Sequence, residues 1–267
     1  MTIEETFTRL RKTGTTGLVT FTTAGDPNLA RSGELLKAID RAGADVLEVG
    51  VPFSDPLADG PVIQRASERA LANGANLREA LALIGRVRHD ISAPIVLFSY
   101  ANPLLRMGLA NFAARAAAVG VNGVLALDLP IEEADEFKER LDAVGLDTIF
   151  LLSPTTTDER IGRAATLGRG FLYGISRLGV TGARDRVAAG AESLIRRIRA
   201  ITDMPVALGF GISRPEHVAE VGAYADAAVV GSALVSIIAE ASGSPQLIER
   251  VAGYVRDLKS ACVAQRA

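Results

Sequence analysis

Glu48 interrupts an otherwise apolar run, Val46-Leu47-Glu48-Val49-Gly50-Val51. In an extended chain alternate residues share a face, so Val46, Glu48 and Gly50 point one way and Leu47 and Val49 the other. If Leu47 and Val49 pack against helices, the Glu48 carboxyl points into a barrel. Burial there disfavours the charged form and raises the pKa, each unit being worth about 1.4 kcal/mol. Such a carboxyl suits general acid/base catalysis; the plain alternative is a barrel carboxylate satisfied by hydrogen bonds. The next residues, Pro52-Phe53-Ser54-Asp55-Pro56-Leu57-Ala58-Asp59-Gly60-Pro61, bring further acids. Asp-Pro and Asp-Gly are ordinary turn pairs, and what favours chemistry is placement just after a strand, where barrels carry active-site groups. Two acids from one strand and its loop could divide the acid and base roles.

Three glycine-containing segments could hold an anion: Gly179-Val180-Thr181-Gly182, Gly209-Phe210-Gly211-Ile212-Ser213 and Gly231-Ser232. Each alone reads as a turn. Together, at consecutive strand ends and beside a short extra helix, they offer unhindered backbone amides to a phosphate. Tyr100, Tyr173, Phe21 and Phe210 stand at strand ends and could bound an aromatic pocket or simply belong to the core. Asp128 reads as a turn or helix-start residue, and His89 and His217 as solvated or structural.

What could position these groups is a repeat. Short apolar runs recur at 17–21, 46–51, 95–98, 121–127, 148–152, 170–173, 206–210 and 227–231. Unalternating runs fit parallel strands buried on both faces. Amphipathic stretches separate them, for example Leu77-Leu81-Ile84-Val87 and Leu194-Ile195-Ile198-Ile201. Gly43, Gly120 and Gly145 read as left-handed helix ends, and Pro94 and Pro205 mark strand starts. No linker divides the chain, so residues 1–267 read as one α/β domain. Eight βα units spaced evenly predict a (β/α)8 TIM barrel over an open doubly wound sheet, with an N-terminal helix. After the last strand, the stretch from Gly231 to Glu240 reads as a short extra helix; Ser244 as N-cap and Pro245 at N1 then start a closing helix from Gln246 to about Ser260.

Composition excludes several chemistries. Lys+Arg of 29 against Asp+Glu of 31 leaves no basic field for nucleic acid. Lys12, Lys37, Lys138 and Lys259 all fall in helical segments, so no strand-end lysine is available for an imine. Two histidines and one cysteine make no transition-metal cluster. No dinucleotide or P-loop motif is present. One cysteine, Cys262, suggests a reducing, cytoplasmic setting; no membrane span is expected, and Met1-Thr2-Ile3-Glu4-Glu5 lacks the basic and apolar regions expected of a signal peptide. Cofactor-free carboxylate chemistry on a small phosphorylated substrate remains.

The string Leu47-Glu48-Val49-Gly50-Val51-Pro52-Phe53-Ser54-Asp55-Pro56-Leu57-Ala58-Asp59-Gly60-Pro61 is long and distinctive. With Phe21-Thr22-Thr23-Ala24-Gly25-Asp26-Pro27, Tyr100-Ala101-Asn102-Pro103, Ser176-Arg177-Leu178-Gly179-Val180-Thr181-Gly182, Gly209-Phe210-Gly211-Ile212-Ser213 and Gly231-Ser232-Ala233, it resembles the tryptophan synthase alpha chain family across essentially the whole chain. The resemblance implies a TIM-barrel lyase that splits indole-3-glycerol phosphate into indole and glyceraldehyde 3-phosphate, in tryptophan biosynthesis. It implies Glu48 as the acid/base between the glycerol hydroxyl and indole C3, and Asp59 as stabiliser of the charge developing at the indole N–H. Gly182, Phe210, Gly211, Gly231 and Ser232 correspond to phosphate-binding positions, with Thr181 a substrate-binding neighbour. Phe21 and Tyr173 would lie near the substrate, and Tyr100, Leu125 and Leu151 would line the indole pocket. The implied partner is a pyridoxal-phosphate-dependent beta chain in an α2β2 assembly, to which indole passes without release. Pyridoxal phosphate would belong to that partner, leaving no cofactor in this chain. Loops 53–60 and 176–187 would close over the substrate.

Two rivals stand beside this reading. Another phosphate-binding barrel enzyme, such as a sugar-phosphate epimerase or indole-3-glycerol phosphate synthase, would need metal ligands or strand-end lysines that are missing. A catalytically idle barrel, kept as an activating subunit of the beta chain, would have no physical need for both Glu48 and Asp59.

Overall fold

The computed structural model describes residues 1–175, 190–209 and 211–262. Its strands are β1 (Gly17–Thr23), β2 (Val46–Gly50), β3 (Ile95–Ser99), β4 (Gly123–Ala126), β5 (Asp147–Ile149), β6 (Leu151–Leu152), β7 (Leu172–Ile175), β8 (Val206–Gly209) and β9 (Ala227–Val230). The helices are α1 (Ile3–Thr13), α2 (Leu29–Arg41), α3 (Pro61–Ala72), α4 (Leu77–Val87), α5 (Ala101–Met107), α6 (Leu109–Ala118), α7 (Asp135–Asp142), α8 (Asp158–Leu167), α9 (Ala191–Arg199), α10 (Pro215–Gly222), α11 (Ser232–Glu240) and α12 (Leu247–Ser260). The strands form one parallel sheet in the order β5-β4-β3-β2-β1-β9-β8-β7-β6. Since β5 and β6 are separated only by Phe150, the sheet closes on itself and the expected TIM barrel is present.

That break corrects the sequence reading, which took 148–152 as one strand. β5 pairs with β4 and β6 with β7, while Ile149 and Leu151 still face the interior and Phe150 and Leu152 the helices. The alternation survives; the ladder changes partner at Phe150, whose carbonyl accepts from the Tyr173 N–H at 2.9 Å. The sixth run also sits later than expected, with β7 beginning at Leu172. The closing helix begins at Leu247, not Gln246, and Ser244 is not its cap: its hydroxyl accepts from the Gln246 N–H at 3.1 Å, inside the turn before the helix.

Two apolar layers result from strand alternation. Leu18, Leu47, Val49, Leu97, Leu172 and Leu208 face the surrounding helices. Val19, Val46, Val96, Leu125, Ile149, Phe171, Ala207 and Ala227 fill the barrel. Its floor is sealed by α1, which drives Ile3, Phe7 and Leu10 into that interior cluster, with the Phe7 and Phe171 rings 5.5 Å apart. Gly17 makes room for this plug, because a Cβ there would lie 2.8 Å from Leu10. A capping box at Thr2 and Glu5 starts α1.

A repeated clasp joins strand pairs at the same end. Asp45 donates its N–H to the Leu18 carbonyl and accepts the Leu18 N–H on Oδ2, both at 2.8 Å. Asn122 does the same with Ile95, at 2.8 and 2.9 Å, and Asp226 with Val206, at 2.9 and 2.8 Å. Arg9 and Lys259 neutralise Asp45; Arg11 and Arg199 neutralise Asp226. Burial pushes the Asp226 carboxyl up, but the Val206 amide and the two guanidiniums outweigh it and hold the pKa below its usual value.

A depressed pKa means that Asp226 contributes stability above the unfolded value near 3.8 and loses it as pH falls through the folded one. Asp226→Ala leaves a buried amide and two cations without their acceptor, and is expected to lower the unfolding free energy by about 2 to 3 kcal/mol at neutral pH. Urea titrations would show that deficit shrinking below about pH 4, the ordinary carboxylate range. An unchanged midpoint at pH 7 would refute the clasp.

Candidate active site

Above the apolar floor, the interior face of β2 carries Glu48 one pleat beyond Val46, as its alternation requires. Glu48 is fully buried and neither carboxylate oxygen has a hydrogen-bond partner among the described residues. The alternative of a carboxylate satisfied by hydrogen bonds finds no donor among the described residues. Its neighbours across the ladders are Phe21 on β1 and Val96 on β3. With apolar walls and no compensating donor, desolvation raises its pKa from 4.5 to about 8.

Phe21 also lines a cleft at the carboxyl ends of the strands. One part of the wall is apolar: Phe21, Ile63, Phe98, Leu127 and Leu151. The Phe21 and Phe98 rings meet edge to face, 5.3 Å between centroids and 76° between planes. Asp59 enters this wall from the loop between β2 and α3. Burial raises its pKa from 3.8 to about 6, and a hydrogen bond from Tyr100 pulls the other way; the phenol Oη lies 3.1 Å from Oδ2. Tyr173 lines the cleft too, and burial together with the charges of Glu48 and Asp59 keeps its hydroxyl protonated. Gly209 is required for that placement, since a Cβ there would lie 2.6 Å from the Tyr173 hydroxyl oxygen.

Another part of the wall is built from backbone. Gly211, Gly231, Ser232 and Ala233 line it, and Ser232 opens α11. No acidic residue occupies the first turn of α11 and no side chain caps it, so its amides and helix dipole are available to an anion. Ser213, just past Gly211, is pinned by the Tyr254 hydroxyl on its carbonyl at 2.8 Å and by its own N–H on His217 Nδ1 at 3.3 Å. The structural role expected for His217 is this one. Asp128 lies in the turn after β4, one of its two expected roles, and its Oδ1 accepts the Ala101 N–H at the start of α5, after the neighbouring strand, at 2.6 Å.

Of the residues singled out by sequence, Phe21, Asp59, Leu151, Tyr173, Gly211, Gly231 and Ser232 meet at this cleft. Thr181, Gly182 and Phe210, and loop 176–187, lie outside the described residues. Two placements are corrected. Leu125 is fully buried in the barrel below the cleft, and Leu127, one pleat nearer the rim on the same face, is the lining residue. Tyr100 does not line the cleft; it serves Asp59. Phe98 and Val229 were missed although strand alternation marks both as interior, whereas Ile63, in the first turn of α3, has no such signal. Among the described residues no group of three or more His, Cys, Asp or Glu side chains could hold a metal, and no helix is long and apolar enough to cross a membrane.

A family model described as tryptophan synthase alpha chain matches residues 7–263. The tryptophan synthase alpha chain of Geobacter sulfurreducens is 50% identical over 259 residues, covering 97% of this chain and 98% of the relative. That of Geotalea uraniireducens is 48% identical over 258 residues, covering 97% and 96%. Among solved structures, tryptophan synthase of Mycobacterium tuberculosis matches with a TM-score of 0.90 at 34% identity over 97% of both chains. The tryptophan synthase α2β2 complex of Pyrococcus furiosus contains a chain matching with a TM-score of 0.86 at 42% identity, over 92% of this chain and 98% of that one.

The burial of Glu48 has a signature in stability. An acid whose folded pKa lies near 8 and whose unfolded pKa lies near 4.5 binds a proton in the folded state that the unfolded chain has released, so stability falls as pH rises through that window. Glu48→Gln removes the titration, whatever fixed cost its amide brings. Its stability relative to wild type is expected to rise between pH 5 and 9, by roughly 1.4 kcal/mol per unit at the steepest. Parallel urea curves with no pH-dependent difference would show that the carboxyl ionises freely.

Proposed function

The chain belongs to the tryptophan synthase alpha chain family, and we propose that Glu48 and Asp59 carry its cleavage of indole-3-glycerol phosphate to indole and glyceraldehyde 3-phosphate. The observation that carries this is a pair of acids tuned apart, at about 8 and about 6, beside an apolar cleft with an amide-lined part. Between those values Glu48 holds a proton and Asp59 does not, which is the division of labour the reaction needs.

The indole ring fits the wall of Phe21, Phe98, Leu127 and Leu151, and the phosphate fits the amides of Gly211, Gly231 and Ser232 at the start of α11. The Glu48 carboxyl gives its proton to indole C3. The ring becomes cationic, and Asp59 stabilises it by accepting the N1–H. The Glu48 carboxylate then takes the proton of the hydroxyl on the carbon attached to C3. The C–C bond breaks, its electrons return to the ring, and the former carbinol carbon leaves as the aldehyde of glyceraldehyde 3-phosphate. Glu48 ends protonated, so the step balances with no oxidant, reductant or imine. Tyr173, kept as a phenol, and Phe21 pack against the reacting region and exclude water.

The partner of this chain is a beta chain, and we infer an α2β2 assembly like that of the Pyrococcus furiosus complex. Leu57 and Leu105 support it: they are 88% and 57% exposed on segments that follow β2 and β3, at the rim of the cleft. Pyridoxal phosphate is assigned to the beta chain, because all four lysines of this chain lie in helices away from the cleft. One cysteine supports a reducing, cytoplasmic setting.

Indole release from indole-3-glycerol phosphate, measured with and without a beta chain, is expected to follow a bell-shaped kcat/KM with limbs near pH 6 and pH 8. Glu48→Gln should lose at least about a hundredfold, and Asp59→Asn should lose more than about tenfold together with the acid limb. A flat profile, or an active Glu48→Gln, would overturn these roles. A folded protein without turnover in any mixture would make the chain an idle activating subunit.

A further inference from the structure

Tyr100 follows β3 and starts α5, and its ring is almost fully buried, 5% exposed. Its hydroxyl touches two consecutive residues of the loop after β2. It accepts the Ala58 N–H at 3.0 Å and donates to Asp59 Oδ2 at 3.1 Å. Phe53, near the start of that loop, packs its ring on the phenol, centroids 5.0 Å apart and planes 32° from parallel. At the other end, Gln64 Nε2 of α3 donates to the Asp59 carbonyl at 2.8 Å, and the Asp59 N–H donates to the Pro56 carbonyl at 3.0 Å.

We propose that Tyr100 is a positioning residue for the cleavage reaction, its hydroxyl fixing the Asp59 carboxylate at the cleft wall and favouring its charged form. This rests on the reading of Asp59 as the acceptor of the indole N–H. An accepted amide proton polarises a phenol and strengthens its own donation, so the Ala58 N–H feeds the bond to Asp59. A donor to a carboxylate favours the ion over the acid. Without it, burial alone would act on Asp59, and less of it would be ionised at neutral pH. The same two bonds fix where the loop sits, so geometry and charge are set by one hydroxyl.

The titratable groups around this contact come from three other strands or strand ends. Tyr173 of β7 faces both Asp59 and Glu48, Glu48 lies on β2, and the charge of Asp128, after β4, reaches the phenol. Burial and the carboxylates Asp59 and Asp128 push the Tyr100 pKa well above its ordinary 10, with the Ala58 amide opposing them. Tyr100 therefore stays a donor across the working range.

The test is Tyr100→Phe, which keeps the ring against Phe53 and removes one oxygen. The acid limb of kcat/KM should move up by about one unit, so that activity at pH 6.5 falls roughly threefold and recovers towards pH 7.5. Phe53→Leu, which loosens the stack and keeps the hydroxyl, should change KM and leave the limb in place. Carbon-13 titration of the Asp59 carboxyl, in wild type and Tyr100→Phe, should show the same upward shift without any turnover. An unshifted carboxyl titration in a folded Tyr100→Phe protein overturns the proposal, whatever the activity. A shifted titration in a wild type that does not cleave the substrate would keep the hydrogen bond and overturn the positioning role together with the reading of Asp59.

Discussion

The carboxyl of Glu48 is buried with no hydrogen-bond partner among the described residues, and the architecture around it makes that tolerable. An unpaired acid in an apolar interior is stable only as the neutral acid over most of the physiological range. A closed barrel supplies such an interior with no exposed sheet edge and no unpaired backbone near it. α1 closes the floor and the Val19, Val46 and Val96 layer lies below the acid. Glu48 is not itself part of the cleft lining, but Phe21, paired with it across the ladder, and Tyr173, whose hydroxyl feels its charge, both are. On the proposed mechanism, the buried acid that weakens the protein is the one that the reaction uses.

Asp59 is the complement of that arrangement. It is also buried, but on a loop, and it reaches the cleft from the side with a phenol already bonded to it. The two carboxyls have the same chemistry and different surroundings: Glu48 has no hydrogen-bond donor among the described residues, and Asp59 has the Tyr100 hydroxyl. Their pKa values separate accordingly. The amides at the start of α11 add positive potential without a titratable cation, so the anion-binding part does not impose its own pH dependence on the acids. In the proposed reading, charge recognition and proton transfer are thus carried by different kinds of group.

Much of this was legible in the sequence because it follows from short-range periodicity. The glutamate at 48 faces inward for the same reason that Val46 does. Alternation also locates Phe98 and Val229, which the sequence reading did not use. It could not place a residue along the barrel axis: Leu125 and Leu127 share a face, and only the level at which the barrel fills decides which one meets the cleft. The bond from Tyr100 to Asp59 joins residues 41 apart, and its signal is absent from either local segment. The clasps at Asp45, Asn122 and Asp226 were invisible for a related reason. Each looks like a turn residue before a strand, and its role appears only when the neighbouring strand is in register.

Those clasps bear on how the barrel can hold an active site at all. They sit at the starts of the strands, where Asp45, Asn122 and Asp226 each tie two strands by a reciprocal pair of hydrogen bonds. Acid and anion groups sit at the opposite ends. A strand a few residues long transmits position well and free energy poorly, since its side chains contact their own layer most closely. Stability gathered at the floor can therefore offset the cost of Glu48 without any group near the substrate being recruited for the purpose. The rim is left to be shaped by chemistry: a glycine at 209 because a tyrosine lies over it, and an uncapped α11 because its amides face the cleft. Where the same residue serves both ends of this division, as Tyr100 does in tethering a loop and favouring the charge on Asp59, substitution should disturb the reaction before it disturbs the fold.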